Sequence, residues 1–460
     1  MFRRVAIIGG GAAAATLLGE LLGLRTPQPL HLDWYTGAGA PPRGVAYGTT
    51  SERHLLNVRA ASMSMFAGRP RGFLDFLQRD DPRVAGTDFV PRRRYGDYLE
   101  AEVARALQQG RAFGHHVHMI PFAVDALVPE RDGVTLIHGE ESHRADAAVL
   151  ALGALPPQPL AGVSAEALAS GRYAVDPWPL LARVAELAPP REVAVIGLGL
   201  TAVDVVLELS ARWPQARFTA ISRHGLLPEA HRHAAAAPAD DSAELIAAMR
   251  EAPEIRRWLH LLREAMAQES DWRTVLDSLR PHTSGLWRVL PHEQRARFLR
   301  HARWAWERAR HRMAPQVRRA LTELERDGRL QRRRGHVDSV VPAGDALRLR
   351  VTHAGDTHTL DAGLVIQTTG LHTDVRRTDH PLVRQLLTNA HIVADPLGLG
   401  MQTASDGRLR HGNAYWPHLF ALGGLLRGTL WESTAMPEIR QQARVLADRL
   451  LDRAGAPAGS

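Results

Sequence analysis

At 460 residues, with 45% hydrophobic and 23% charged side chains, the chain has material for more than one nucleotide-sized domain. No run of eighteen apolar residues offers a membrane span, and neither cysteine nor lysine occurs, which excludes dithiol redox chemistry, thiolate metal sites, disulfides, Schiff bases and a lysine-bearing phosphate loop. The net charge of +8 is read as the solvated surface of an arginine- and alanine-rich protein, in preference to a nucleic-acid-binding face.

Residues 3–23 read as strand, tight turn and helix. The apolar run Val5-Ala6-Ile7-Ile8 turns at once into glycines, so a buried strand of a cytoplasmic protein is expected there and not a leader segment. A second strand is expected over 29–35, a Gly/Pro-rich loop over 37–50, and helices near 72–78 and 95–107. Residues 146–153 form a short apolar strand ending in Gly153, stopped by Pro156-Pro157. A second strand–turn–helix begins at residue 191 and echoes the first. Between about 229 and 328 the spacing turns helical, which marks an insert. Strand patterns return at 347–351 and 364–368, a last helix runs from about 437 to 451, and the tail 454–460 looks frayed.

The first turn, Gly9-Gly10-Gly11-Ala12-Ala13-Ala14, fits G-x-G-x-x-[G/A]. Gly9 permits the tight turn, Gly11 lets a pyrophosphate approach the backbone, and Ala14 keeps helix and strand close. Free N–H groups and the dipole at the start of the helix favour the phosphates. A glycine turn without a ligand is the plain alternative; the strand before it and the helix after it favour the nucleotide. Asp33 is the candidate acid for the ribose, although Tyr35 or Thr36 occupies the more usual position, and a solvent-facing strand residue is the other reading.

The second turn, Gly197-Leu198-Gly199-Leu200-Thr201-Ala202, again joins a strand to a helix. Two such units imply two nucleotides, as in an enzyme whose bound flavin is reduced by a dissociable nicotinamide. Ser222-Arg223 follows the next strand, where an NAD site would carry an acid. Arg223 can pair with a 2′-phosphate, so NADPH is preferred and NADH is the alternative donor. An arginine capping a surface loop is the competing reading. Gly153 and Gly370 fit the points where the chain crosses between the two domains, and Gly423-Gly424 closes a strand that would end against FAD. The stretch that follows holds Trp431 and Glu432, and a helix near Pro437 would aim its positive end at the flavin.

With these anchors in order, the chain resembles the bacterial FAD/NAD(P)-binding proteins and, more distantly, flavin-dependent amine N-hydroxylases. The marks include Arg43-Gly44-Val45-Ala46-Tyr47-Gly48-Thr49, His54-Leu55-Leu56-Asn57-Val58, Met63-Ser64, Asp176-Pro177-Trp178, Asp204, Ser222-Arg223-His224-Gly225, Leu286-Trp287-Arg288 and Trp431-Glu432. The resemblance implies an α/β fold of two Rossmann-like nucleotide-binding domains, three-layered, with a helical insert. Residues 1–160 and 330–460 would form a discontinuous FAD-binding domain, and 161–329 an NAD(P)-binding domain that includes the insert. It further implies that Arg43, Tyr47, His54, Asn57, Met63 and Ser64 line a loop beside the isoalloxazine ring, with Asn57, Arg43 and His54 as the catalytic candidates. Asn57 would donate to flavin N5 or to the nicotinamide amide; an Asx turn is its structural alternative. Gly424 stands where many flavoproteins carry an aspartate, and its backbone N–H can take that part.

Within the insert, helical spacing over 295–315 would set His301, Arg308 and Arg312 on one face and Trp304, His311 and Pro315 on another, as a cover over the flavin, an RNA-binding surface or a plain amphipathic helix. The histidine groups His231/His233 and His115/His116/His118 lack acidic partners in sequence, so no catalytic metal is expected. The leading functional expectation is an NADPH-dependent FAD monooxygenase using O2 on a small molecule. The alternatives are a flavin oxidoreductase without oxygen insertion, and a basic flavoprotein binding RNA or a protein partner.

Overall fold

The computed structural model describes residues 2–39, 41–232 and 242–451; the expectations for His233 and for the tail fall outside them. Strands and helices alternate into two parallel sheets that repeat one plan. In the first unit, β1 (Arg4–Ile8) leads through the glycine turn to α1 (Ala12–Leu22) and β2 (His31–Tyr35). After a long excursion come α2 (Arg92–Ala112), β3 (His116–Ile120), the hairpin strands β4 (Ala126–Pro129), β5 (Val134–His138) and β6 (Glu141–Ala145), and then β7 (Ala147–Leu150). The second unit opens with the short β8 (Tyr173–Ala174) and then copies the sequence of parts. These are β9 (Glu192–Ile196), α3 (Leu200–Arg212), β10 (Arg217–Ser222), an excursion, α4 (Pro315–Arg326), β11 (Leu330–Arg334), the meander β12 (His336–Ala343), β13 (Ala346–His353), β14 (Asp356–Ala362), and β15 (Leu364–Gln367). The chain then returns to the first sheet with β16 (Arg408–His411), β17 (Ala414–Ala421) and α5 (Met436–Leu450).

The sheet orders are β16-β17-β7-β1-β2-β3 and β11-β10-β9-β15-β8, so β7-β1-β2-β3 in one corresponds to β15-β9-β10-β11 in the other. The return to the first sheet therefore comes later than the boundary at 330. β11 pairs with β10 and β15 with β9, so residues 330–367 complete the second sheet. Strand periodicity cannot reveal this, because it says nothing of which sheet a strand joins.

The central strands are apolar along their length because both faces are covered. Val5, Ile7, Leu32 and Trp34 pack towards α1, α2 and α5, while Ala6, Ile8, Tyr35 and Leu150 pack against β4–β6 and the segment around Leu382. Every residue of α1 is buried.

The helical insert leaves the second unit between β10 and α4, the place that residues 36–91 occupy in the first. It is not one long amphipathic surface. Helices His292–His301, Arg303–Arg310 and Pro315–Arg326 break the segment, so the two expected faces do not form. Arg303 pairs with Glu307, Arg308 with Glu229, and Arg310 with Glu432; Arg312, 2% exposed, is bidentate to Asp277 at 2.8 and 3.0 Å.

The insert docks on the segment after β17. Trp431, buried at φ 57°, stacks on Trp287 at 4.8 Å, meets Phe298 edge-on at 5.1 Å and carries Arg427 at 4.6 Å. The Trp287 indole N–H donates to the Gly428 carbonyl at 2.8 Å, and Glu432 accepts from Trp306 (3.2 Å) and Arg310 (3.0 Å). Removing the central ring should leave a cavity that these helices cannot close. Trp431→Ala is expected to lower stability by about 3–5 kcal/mol and to open the insert to limited proteolysis before the sheets unfold; an unchanged urea midpoint and cleavage pattern would contradict this docking role.

Candidate functional site

Both glycine turns are built alike down to single hydrogen bonds. The Gly9 N–H donates to the Tyr35 carbonyl and the Ala151 N–H to the Ile8 carbonyl, each at 2.8 Å; Gly197 to Ile221 and Thr368 to Ile196 repeat the pair at 2.8 Å. Gly9 has φ 133° and Gly197 φ 122°, and a Cβ would lie 2.2 Å from the Ala151 carbonyl oxygen or 2.4 Å from that of Thr368. No side chain fits at either. Trp34 secures the first turn from below, its indole N–H donating to the Gly9 carbonyl at 2.8 Å.

Two residues on, the conditions reverse. A Cβ on Gly11 would meet only the Gly44 Cα at 3.9 Å, and one on Gly199 would meet nothing within 4 Å. These glycines cap α1 and α3, which carry no side-chain cap and no acidic residue in the first turn. Open space in front of uncapped N–H groups suits a pyrophosphate, and a carboxylate there would repel it. Ala12 and Ala14 are buried in the first turn of α1, and Leu200 and Thr201 are half-buried in that of α3. The first cradle thus fits the flavin nucleotide: Gly9, Gly11, Ala12 and Ala14 would hold its phosphates, with Gly44 above them.

The chain leaves the first sheet through Gly153 (φ 68°) and returns from the second through Gly370 (φ 94°); both have open space where a side chain would lie. Gly153, Leu371, His372, Gly424, Arg427 and Thr434 line one small cleft. Gly423 donates its N–H to Gln442 Oε1 at 3.0 Å, whereas the Gly424 N–H has no acceptor among the described residues. His372 Nε2 is buried in this region without a hydrogen-bond partner. A larger cavity of about 760 Å³ lies elsewhere, bounded by Arg172, Leu180, Glu192 and Gly363 at the opposite, amino-terminal ends of the second sheet's strands. Ligands of open α/β sheets bind at the carboxyl ends, so the small cleft is the relevant one.

Several expected site residues are engaged by neighbouring side chains. Asp33 stands within β2 opposite Ala6 and His118, two positions before the strand end, and is held by Arg4 at 3.4 Å and His118 at 3.9 Å. Thr36 and Gly37 occupy the ribose end instead. Arg43 is engaged by Glu100 (2.6 Å) and Asp97 (2.7 Å) of α2, ion pairs that raise its pKa further. Tyr47 leans on Tyr95 at 4.6 Å, and burial pushes its hydroxyl up to about 12. Met63 is a core residue; the buried Ser64 hydroxyl donates to the Arg69 carbonyl, and the Ser64 carbonyl accepts from Arg440 at 3.2 Å. Trp431 and Glu432 take part in the insert docking described above.

His54 is 1% exposed at the junction of the two units, hydrogen-bonded to Thr49 at 2.7 Å and edge-on to Trp178. Burial lowers its pKa, the nearby Asp204 notwithstanding. Asp204 on α3 is itself buried, its pKa raised by desolvation against the pull of Arg92 at 2.9 Å. This is a joint between sheets. Asn57 keeps a side-chain amide with no partner among the described residues, its backbone carbonyl accepting from His231 Nε2 at 3.0 Å, and His54 Nε2 is likewise buried without a hydrogen-bond partner. Arg223, exposed at the end of β10, also keeps a guanidinium without an acceptor there, and Arg334 lies beside it, donating to its carbonyl at 3.4 Å.

Comparison with known proteins agrees with this arrangement. Residues 6–155 match the FAD-NAD(P)-binding family. The matched stretch spans β1 through the crossing at Gly153, which is the first cradle. The whole fold is similar to the ornithine N-hydroxylase of Kutzneria sp. 744 (TM-score 0.68, 18% identity, covering 98% of this chain and 99% of that one). It is also similar to the L-lysine 6-monooxygenase of Pseudomonas syringae (0.68, 16%, 99% and 100%). A weaker likeness joins it to the bacillithiol disulfide reductase of Bacillus cereus (0.55, 16%, 98% and 99%). The likeness extends over nearly the whole of each chain, so the two-unit Rossmann-type fold is shared throughout. No curated protein matches the chain by sequence.

Two outcomes follow from this geometry. Gly11→Val would fill the space before α1 and is expected to abolish retention of the flavin nucleotide with circular dichroism unchanged; a fully loaded yellow variant would refute the cradle. Burial holds His231 down to about 4, below the ordinary 6.5, so at intermediate pH the unfolded chain binds a proton that the fold does not. Stability from this group is complete above about pH 6.5 and falls as pH drops towards 4, by on the order of 3 kcal/mol. Urea melts at several pH values should show a flatter acid limb for His231→Gln; equal slopes would remove the assignment.

Proposed function

We propose that this protein is an FAD-dependent, NADPH-using monooxygenase acting on a small amine. The observation that carries the reading is the pair of uncapped, glycine-floored cradles whose crossings, at Gly153 and Gly370, meet beside one cleft with Gly424. A nucleotide on each would bring two rings towards that cleft. FAD, when bound, supplies hydride acceptance and the activation of O2. The chain's own part is positional. The starts of α1 and α3 would hold anionic phosphates, and the Gly424 N–H, without an acceptor among the described residues, would donate to the flavin where many flavoproteins carry an aspartate. The likeness to ornithine and lysine hydroxylating enzymes supports an amine as the oxygen acceptor. The overall change would be RNH2 + O2 + NADPH + H+ giving RNHOH + H2O + NADP+.

The second reading is a flavin oxidoreductase without oxygen insertion, and the fold's likeness to a disulfide reductase favours it. A chain without cysteine has no dithiol of its own to exchange with a disulfide, and that weighs for oxygenation. Basic-surface binding of RNA fares less well, because the insert's arginines Arg303, Arg308, Arg310 and Arg312 are taken by internal carboxylates.

Anaerobic titration of the flavin-loaded protein with NADPH and then NADH is the test. Bleaching by NADPH, followed by oxygen-dependent hydroxylation of a small amine with little peroxide, is expected. Turnover of an acceptor under nitrogen would favour the second reading, and a protein that stays colourless after reconstitution with FAD would end both. Arg223→Ser should lower kcat/KM for NADPH about 10-fold or more, roughly 1.4 kcal/mol, with little change for NADH; an equal loss with both donors would remove Arg223 from 2′-phosphate recognition.

A further inference from the structure

We propose that His138, Glu141 and His143 form a binding site for one divalent transition-metal ion of the Zn2+, Co2+ and Ni2+ class. The three residues flank the tight turn between β5 and β6, remote in sequence from both glycine turns. His138 is paired with Glu141 and Leu136 with His143. Opposed residues of an antiparallel pair share a face, as do residues two apart along a strand, so all three side chains rise from one side of the hairpin.

Their atoms are already gathered. The same Glu141 carboxylate oxygen, Oε2, lies 3.2 Å from His143 Nε2 and 3.5 Å from His138 Nε2, and the three candidate ligand atoms fall within 4.8 Å of one another. A tetrahedral ion with bonds of about 2.0–2.2 Å holds its ligand atoms roughly 3.4 Å apart. Two of the three separations bracket that edge, and only the imidazoles need to close towards each other.

A second observation points to a ligand. His138 Nε2 is buried without a hydrogen-bond partner, and the side chain is only 11% exposed. A buried polar nitrogen left unpaired costs free energy that a metal bond would recover. The ring has little freedom to turn outward. Phe122 stacks on it at 5.6 Å, His143 lies parallel at 5.2 Å, and Tyr35 meets it edge-on at 5.9 Å. Glu141, by contrast, is 69% exposed, so a fourth position is open to water or an outside donor.

The donor set decides the class of ion. Two imidazoles and one carboxylate suit borderline cations, whereas Mg2+ and Ca2+ demand oxygen cages. The other stacked histidines, His31 and His116 at 4.9 Å, have no such carboxylate, and among the described residues the three named here form the only such group. Tyr35 at the end of β2 meets His138 edge-on, and all three ligands stand on the hairpin, so an ion here would pin β5 to β6 beside that strand end without entering the cleft.

The test is titration of the metal-stripped, full-length protein with Co2+, followed by its visible ligand-field bands, and with Zn2+ by calorimetry. One ion per chain is expected. Glu141→Gln and His143→Ala should each weaken binding by about 10–100-fold or more, while His116→Ala should leave it unchanged. Circular dichroism of Glu141→Gln, an exposed position, guards against misfolding. Absence of saturable Co2+ binding, or binding that survives both substitutions at full strength, would overturn the proposal.

Discussion

Twice in this chain a strand must turn into a helix while its neighbour's carbonyl passes within a side chain's width. At Gly9 the obstacle is the carbonyl of Ala151, and at Gly197 that of Thr368. Only a residue without a Cβ, able to adopt positive φ, allows the strand, the crossing strand and the helix start to coexist. The same closeness sets the open space before Gly11 and Gly199, so the packing constraint and the anion cradle have one origin.

Around each turn the chain lays down the same parts in the same order, and the differences lie in what fills the excursion before the third strand. In the first unit it is a loop-rich segment carrying Gly44 over the cradle; in the second it is the helical insert. The insert then reaches back to the first unit through Trp431, Glu432 and Glu438, the last accepting from Arg280 at 2.8 Å, while Arg92 and Asp204 join the units at another point. Such buried ion pairs add little net stability, since desolvation offsets attraction. Their value is geometric, because leaving one partner unpaired is costly and few other arrangements satisfy both. Trp431 and Glu432 form the socket for the insert.

The same logic explains why chemistry-bearing side chains so often proved to be fasteners. Arg43 clamps its loop to α2, Ser64 and Met63 tie a loop into the first core, and Asp33 neutralises Arg4 across the sheet. Each is a residue type that also serves active sites, and side-chain type alone does not say where the partner lies. Asn57 and Arg223 stand apart because neither side chain meets a partner among the described residues. His138, Glu141 and His143 illustrate the converse: their H-x-x-E-x-H spacing is legible, but it gains meaning only when a two-residue turn folds the strand back on itself and aligns the three on one face.

Local rules therefore determined a good deal. Apolar runs entering glycine turns defined both nucleotide-binding units, the helical spacing over 229–328 marked the insert, and the absence of cysteine and lysine closed whole classes of chemistry. Those features depend on neighbours a few residues away, where backbone sterics and side-chain period act. Sheet membership beyond residue 330 and ion pairs such as Arg92 with Asp204 and Arg310 with Glu432 depend on residues a hundred or more positions distant. Only the folded chain, where burial makes an unpaired charge costly and brings its partner close, could decide them.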